Sequence, residues 1–175
     1  MKFFNTAGAV KPDIHYCIPP LERINTEDIL RLIAAEKYFI LHAPRQTGKT
    51  SCLLALTDLL NASGRYRAIY ANIEAAQAAR ENVDGAMRAV LGELATRAQL
   101  IRKDDLPYNR MVALLDQFGG WQALNRLLSE WAQADPLPLV LMLDEVDALI
   151  GDSLIALLRQ LRGGYDTRPA AFRKA

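Results

Sequence analysis

Paired cysteines, long apolar runs and an excess of charge of either sign are all missing from this chain. Cysteine occurs only at Cys17 and Cys52, far apart and in no metal-like spacing. That excludes a disulfide-stapled scaffold and points to inert thiols in a reducing compartment. No stretch approaches the ~20 apolar residues of a membrane-spanning helix. The opening Met1-Lys-Phe-Phe-Asn-Thr-Ala-Gly8, with a single basic residue, is no signal-peptide core. A cytoplasmic protein without a membrane partner is therefore expected. Lys and Arg number 21 against 20 Asp and Glu, for a formal charge of +1. The global basic field used to wrap nucleic acid is thus lacking. The two histidines, His15 and His42, have no paired carboxylate or metal spacing around them. Neither internal repeat nor low-complexity tract occurs.

The chain does have 175 residues, 51% of them hydrophobic, enough for one domain with a real core. Residues 1–24, punctuated by Pro12, Pro19 and Pro20, read as an irregular lead-in arm to a core over residues 25–175. Asn25 or Thr26 caps a helix to about Glu36, with Ile29, Leu32 and Ile33 at helical spacing. The apolar run from Tyr38 to His42 predicts a first strand, and residues 48–61 a leucine-rich helix stopped by Asn61-Ala-Ser-Gly64. Residues 67–73 predict a second strand, and a helix from about Asp84 carries Met87, Val90, Leu91 and Leu94 on one face. A short helix near 109–118 and a Gly119-Gly120 break precede an amphipathic helix whose face holds Trp121, Leu124, Leu127, Leu128 and Trp131; both tryptophans are expected in the core. Leu139-Val-Leu-Met-Leu143 predicts a strand buried on both faces, and residues 152–162 a last helix closed by Gly163-Gly164.

Between the first predicted strand and the leucine-rich helix lies Ala43-Pro44-Arg45-Gln46-Thr47-Gly48-Lys49-Thr50, then Ser51. Gly-Lys-Thr alone arises by chance, but a strand before it and a helix after it make this a Walker A loop, G-x-x-x-x-G-K-[ST], with Ala43 in the first glycine's place. Each part has a chemical job. Backbone N–H groups and a helix N-terminus bind phosphate oxygens, Lys49 reaches the β and γ phosphates, and Thr50 offers a hydroxyl to Mg²⁺. The Ala43 methyl is tolerable at negative φ, whereas Gly48 has less room for a side chain. Arg45 and Gln46 hold variable loop positions.

The later strand ends in Asp144-Glu145, the form of a Walker B segment. Asp144 is expected to hold the Mg²⁺ shell, directly or through water, and Glu145 to orient the water attacking the γ-phosphate. Asp147 reads as a solvated turn or helix-start residue. Asn72 and Glu74, after the second strand, are candidates for facing a nucleotide, Glu74 the stronger.

With these motifs the chain resembles P-loop ATPases of the AAA+ and STAND kind, especially prokaryotic ATP-binding proteins with an Ala-Pro-Arg-Gln-Thr-Gly-Lys-Thr loop and an arm similar to His15-Tyr-Cys-Ile-Pro-Pro-Leu-Glu-Arg23. The resemblance covers nearly the whole chain. It implies an α/β P-loop NTPase fold with a parallel sheet flanked by helices, ATP and Mg²⁺ as ligands, and Pro19-Pro20-Leu21 packing near the adenine. In such ATPases a further strand, ending in a polar sensor residue, lies between the Walker A and Walker B strands, and a helical lid follows. After Arg168-Pro169 the sequence has no room for these, so the last strands, the lid, the sensors and an arginine finger are expected to be lacking, with two apolar strands losing a neighbour. Another chain filling the gap, a sheet closing differently and a fragment of a longer ATPase are the alternatives. The expected function is Mg-dependent ATP hydrolysis coupled to a conformational switch, with a homo-oligomer or partner protein engaged. The alternatives are a truncated ATP-binding or partner-binding module without hydrolysis, and a DNA-handling ATPase of the transposition or replication-loading type. The near-neutral charge gives the last no support.

Overall fold

The computed structural model describes residues 2–6, 11, 13–44 and 46–166. Pro12, Arg45 and the Arg168-Pro169 segment, singled out above, lie outside the described residues. Two compact units divide the chain, Met1–Ala62 and Ser63–Ala175.

In the first unit, a short 3-10 turn over Pro20–Arg23 leads to helix α1, Thr26–Ala34. Asn25 caps α1, its side-chain oxygen accepting from the Asp28 N–H at 3.3 Å, as its short polar side chain suits it to do. Helix α2 spans Lys49–Ala62, and Gly64 follows it at φ +66°, the left-handed stop anticipated from sequence. The arm is fastened to α2 from within the unit: the Cys52 thiol donates to the Pro20 carbonyl oxygen at 3.2 Å. Both cysteines are free, Cys17 exposed and Cys52 buried.

The expected first strand is not formed. Residues 38–42 carry no strand pairing, and Ile40 is 90% exposed, with Tyr38 and Phe39 also on the surface. An apolar, β-branched run favours extended backbone, but a strand exists only where a neighbour satisfies its N–H and C=O groups. Among the described residues no strand is laid beside this run.

The second unit is an α/β fold. Strands β1, Arg67–Asn72, and β2, Leu139–Asp144, form a two-stranded parallel sheet in register from Arg67 opposite Leu139 to Asn72 opposite Asp144. Parallel neighbours need a crossover, here supplied by three helices: α3, Val83–Arg102; α4, Leu106–Phe118; and α5, Ala123–Gln133. Asn82 caps α3, accepting from Gly85 N–H at 3.0 Å, and Pro107 occupies the first turn of α4, where its missing N–H costs nothing. Met87, Val90, Leu91 and Leu94 of α3 are fully buried against Leu124 and Leu127 of α5 and Leu157 of α6, Gly151–Asp166.

Two further expectations need correction. Trp131 is completely buried, but Trp121 precedes α5 and is 50% exposed, so the amphipathic face begins one turn later than its spacing suggested. Gly163-Gly164 does not end the last helix, which runs on to Asp166. Neither glycine has positive φ, and glycine inside a helix costs ~1 kcal/mol without forbidding it.

The exposure pattern makes a direct stability test. Leu91→Ala should cost about 2–5 kcal/mol in denaturant unfolding, whereas Ile40→Ala should change stability by less than about 0.5 kcal/mol. A cost at Ile40 comparable to that at Leu91 would mean that the 38–42 run is a buried strand after all.

Candidate functional site

The phosphate-loop sequence has a specific backbone form. Gly48 stands at φ +82° and Gln46 at φ +61°, both left-handed, and Lys49 then opens α2, with the Cys52 N–H bonded to the Gly48 oxygen at 3.0 Å. Glycine at 48 therefore has a backbone reason as well as a spatial one. Ala43 is not among the residues with positive φ, so its methyl is accommodated as expected. The Thr47 hydroxyl donates to the Pro44 oxygen at 2.8 Å, and the Lys49 ammonium donates to the oxygens of Ala43 and Pro44 at 3.0 and 3.1 Å. The loop is thus closed on itself through its own lysine. Thr50 is exposed and Ser51 half-buried in the first turn of α2. Arg45 lies outside the described residues.

One neighbour of the loop was not singled out from sequence. A Cβ placed on Gly48 would come within 2.6 Å of the Arg23 guanidinium, Nη1 being nearest. Arg23 ends the 3-10 turn after Pro19-Pro20, whose carbonyl oxygen at Pro20 holds Cys52. The Pro-Pro pair was the available signal, since it stiffens the arm; the arm's return to the loop is a tertiary relation with no periodicity of its own.

In the second unit, Asp144 is the last residue of β2 and only 7% exposed. Its Oδ2 accepts from the Tyr70 hydroxyl at 3.0 Å and its Oδ1 from the Glu145 N–H at 3.1 Å. Glu145 itself is exposed, in left-handed conformation at φ +57°. The two adjacent carboxyl groups therefore occupy different environments, one buried and hydrogen-bonded, the other in water. Tyr70 was read from sequence only as part of a strand. Its signal was the register: it lies opposite Met142, two residues before Asp144 on the same face of a parallel pair.

Of the weaker candidates, Asn72 turns its side-chain oxygen to the Glu74 N–H at 2.9 Å, and Glu74 is exposed. Asp147 is exposed within the short 3-10 turn Val146–Ala148, as a solvated turn residue should be. His15 is buried with its ring edge-on to Phe3 at 4.8 Å, and His42 is exposed.

Among the described residues no cluster of three or more His, Cys, Asp or Glu could hold a metal ion alone. Mg²⁺ does not require one, since it commonly binds one or two carboxylates together with nucleotide phosphates and water. The Thr50 hydroxyl in the first unit and the Asp144 carboxylate in the second are each, taken alone, hard oxygen groups. No described helix is long and apolar enough to cross a membrane. No protein-family model, curated protein or solved structure matches the chain.

Gly48→Ala should force a methyl into left-handed backbone at a cost of ~1–2 kcal/mol. Amide exchange at Cys52, whose N–H bonds to residue 48, should accelerate by about 5–30-fold. Unchanged exchange there would mean that the loop backbone does not depend on glycine.

Proposed function

We propose that this chain is the ATP-binding module of an AAA+/STAND-like P-loop ATPase, with Mg²⁺-dependent hydrolysis coupled to a conformational switch. The observation that carries the reading is the phosphate loop: left-handed Gly48 directly before the Lys49–Ala62 helix, with the Lys49 ammonium hydrogen-bonded to loop carbonyls. The first N–H groups of a 14-residue helix are anion-binding groups, and a lysine at its start adds a full charge. Lys49 exchanges neutral carbonyl partners for the β and γ phosphates. Thr50 and Asp144 are the residues that would hold Mg²⁺, which would supply Lewis-acid stabilisation of charge on the phosphoryl oxygens. Exposed Glu145 orients a water for in-line attack on the γ-phosphorus as the bond to the ADP oxygen breaks.

A second reading, a nucleotide-binding and partner-binding module without turnover, draws on the exposed run of Tyr38, Phe39 and Ile40, surface of the kind protein partners cover. The same variants separate the two. Lys49→Ala should abolish ATP binding measured calorimetrically. Glu145→Gln should leave binding within about threefold of wild type and lower turnover by about 100-fold or more, the range of a lost general base. Full turnover by the Glu145 variant would overturn the hydrolytic mechanism; binding without turnover by the wild type, even when concentrated, would establish the second reading.

A further inference from the structure

We propose that Tyr70 is a positioning residue for the metal, its hydroxyl holding the Asp144 carboxylate in the orientation that receives Mg²⁺. The inference rests on the nucleotide-site reading above, but its observations belong to the second unit alone.

Tyr70 is 4% exposed and Asp144 7%, so their 3.0 Å hydrogen bond is made away from bulk water. A buried carboxylate demands such partners, because losing hydration without replacement is costly. The bond also has directional consequences. The Glu145 N–H fixes Oδ1 from the chain's own turn, and the Tyr70 hydroxyl fixes Oδ2 from the neighbouring strand. Two contacts on two oxygens, from different segments, define the plane of the carboxylate. A carboxylate offers about four lone-pair sites over its two oxygens, so accepting hydrogen bonds and ligating a metal are compatible.

Tyr70 is itself held. It is a central residue of β1, and the Arg97 guanidinium of α3 lies over its ring at 5.6 Å from the centroid, with Arg97 Nε bonded to Glu93 at 2.6 Å. The hydroxyl is therefore a fixed donor on a rigid element, the arrangement that tunes a metal ligand through its outer hydrogen bonds. A phenylalanine would fill the same space, so packing alone does not account for the hydroxyl.

The test is Tyr70→Phe, which removes one oxygen. Binding of a non-hydrolysable ATP analogue is measured with EDTA present and across a Mg²⁺ titration. Metal-free binding should stay within about twofold of wild type, because the phosphate loop is untouched. The Mg²⁺ midpoint should rise by about 10–100-fold, the usual effect of losing a partner that orients a metal ligand. In an Asp144→Asn background the Tyr70 substitution should give no further shift, as expected for two residues acting through one bond. A Mg²⁺ midpoint unchanged by Tyr70→Phe would overturn the proposal and leave the nucleotide-site reading standing. Wild-type protein that binds no analogue with or without Mg²⁺ would overturn that reading, and this inference with it. Should Tyr70→Phe not fold, the wild type answers the same question. Mg²⁺ added to the nucleotide-loaded chain should perturb tyrosine absorbance, and Asp144→Asn should abolish the change; no perturbation in the wild type would refute the positioning role.

Discussion

Arg67 begins β1 almost entirely buried, its Nη2 donating to the Trp131 carbonyl oxygen at 2.6 Å and its Nη1 lying 3.5 Å from Asp104 and 3.8 Å from Asp135. Burial pulls the guanidinium below its usual pKa, while Asp135 and Asp104 pull it back up. One cation thus gathers the foot of β1, the turn after α3, the end of α5 and the turn into β2. Asp104 strengthens the knot by accepting from the Trp131 indole N–H at 2.6 Å. The arrangement is not fully satisfied, since Arg67 Nε is buried with no hydrogen-bond partner. Its value is therefore geometric as much as energetic: a buried ion pair stabilises little on balance, but it admits few alternative packings.

That geometry reaches the carboxylates through the ladder. Arg67 pairs with Leu139 and, five residues on, Asn72 pairs with Asp144. Five residue steps carry the register about 17 Å from the charged foot to the far end of the sheet. A slip of one residue would turn either Tyr70 or Asp144 to the opposite face and break their hydrogen bond. With only two strands, the sheet has little internal redundancy, so the buried face of α3 and the Arg67 knot must fix what a wider sheet would fix by pairing. Tyr70 and Asp144 can meet because that register is held at its other end.

Much of this was legible in local sequence, where one residue's chemistry decides. Asn25 caps a helix and Gly64 stops one as expected, and the Leu139–Asp144 run forms its strand, although only Met142 and Asp144 are buried where burial on both faces was expected, since the strand has a single described neighbour. Tyr38–His42 is different: its composition asks for a strand, but a strand depends on a neighbouring strand elsewhere, and among the described residues the run has no strand pairing. Trp121 failed for a related reason. Periodicity opened the α5 face at Trp121, directly after the Gly119-Gly120 break, whereas residues 120–122 form a turn and the helix begins only at Ala123. In the candidate site, the loop and the Asp-Glu pair were visible as motifs. Arg23 beside Gly48 and Tyr70 on Asp144 were not, because each joins residues that no repeat or spacing connects.

Asp144 and Glu145 show how one chain separates two neighbouring carboxylates. Continued as a strand, the backbone would send them to opposite faces while keeping both at the sheet. Instead the chain turns left-handed at Glu145, φ +57°, an uncommon state that costs a non-glycine residue about 1–2 kcal/mol. Two hydrogen bonds answer that cost locally: Glu145 N–H to Asp144 Oδ1 at 3.1 Å, and Ala148 N–H to the Glu145 oxygen at 3.0 Å. The turn leaves Asp144 fixed in the interior and Glu145 in solvent. A group that holds a cation must be pre-oriented, because reorganising it would weaken every bond it makes; a group that handles water must be reachable by water. The left-handed turn at residue 145 separates these two environments within a single peptide unit, as the proposed division between metal holding and water orientation requires of adjacent residues.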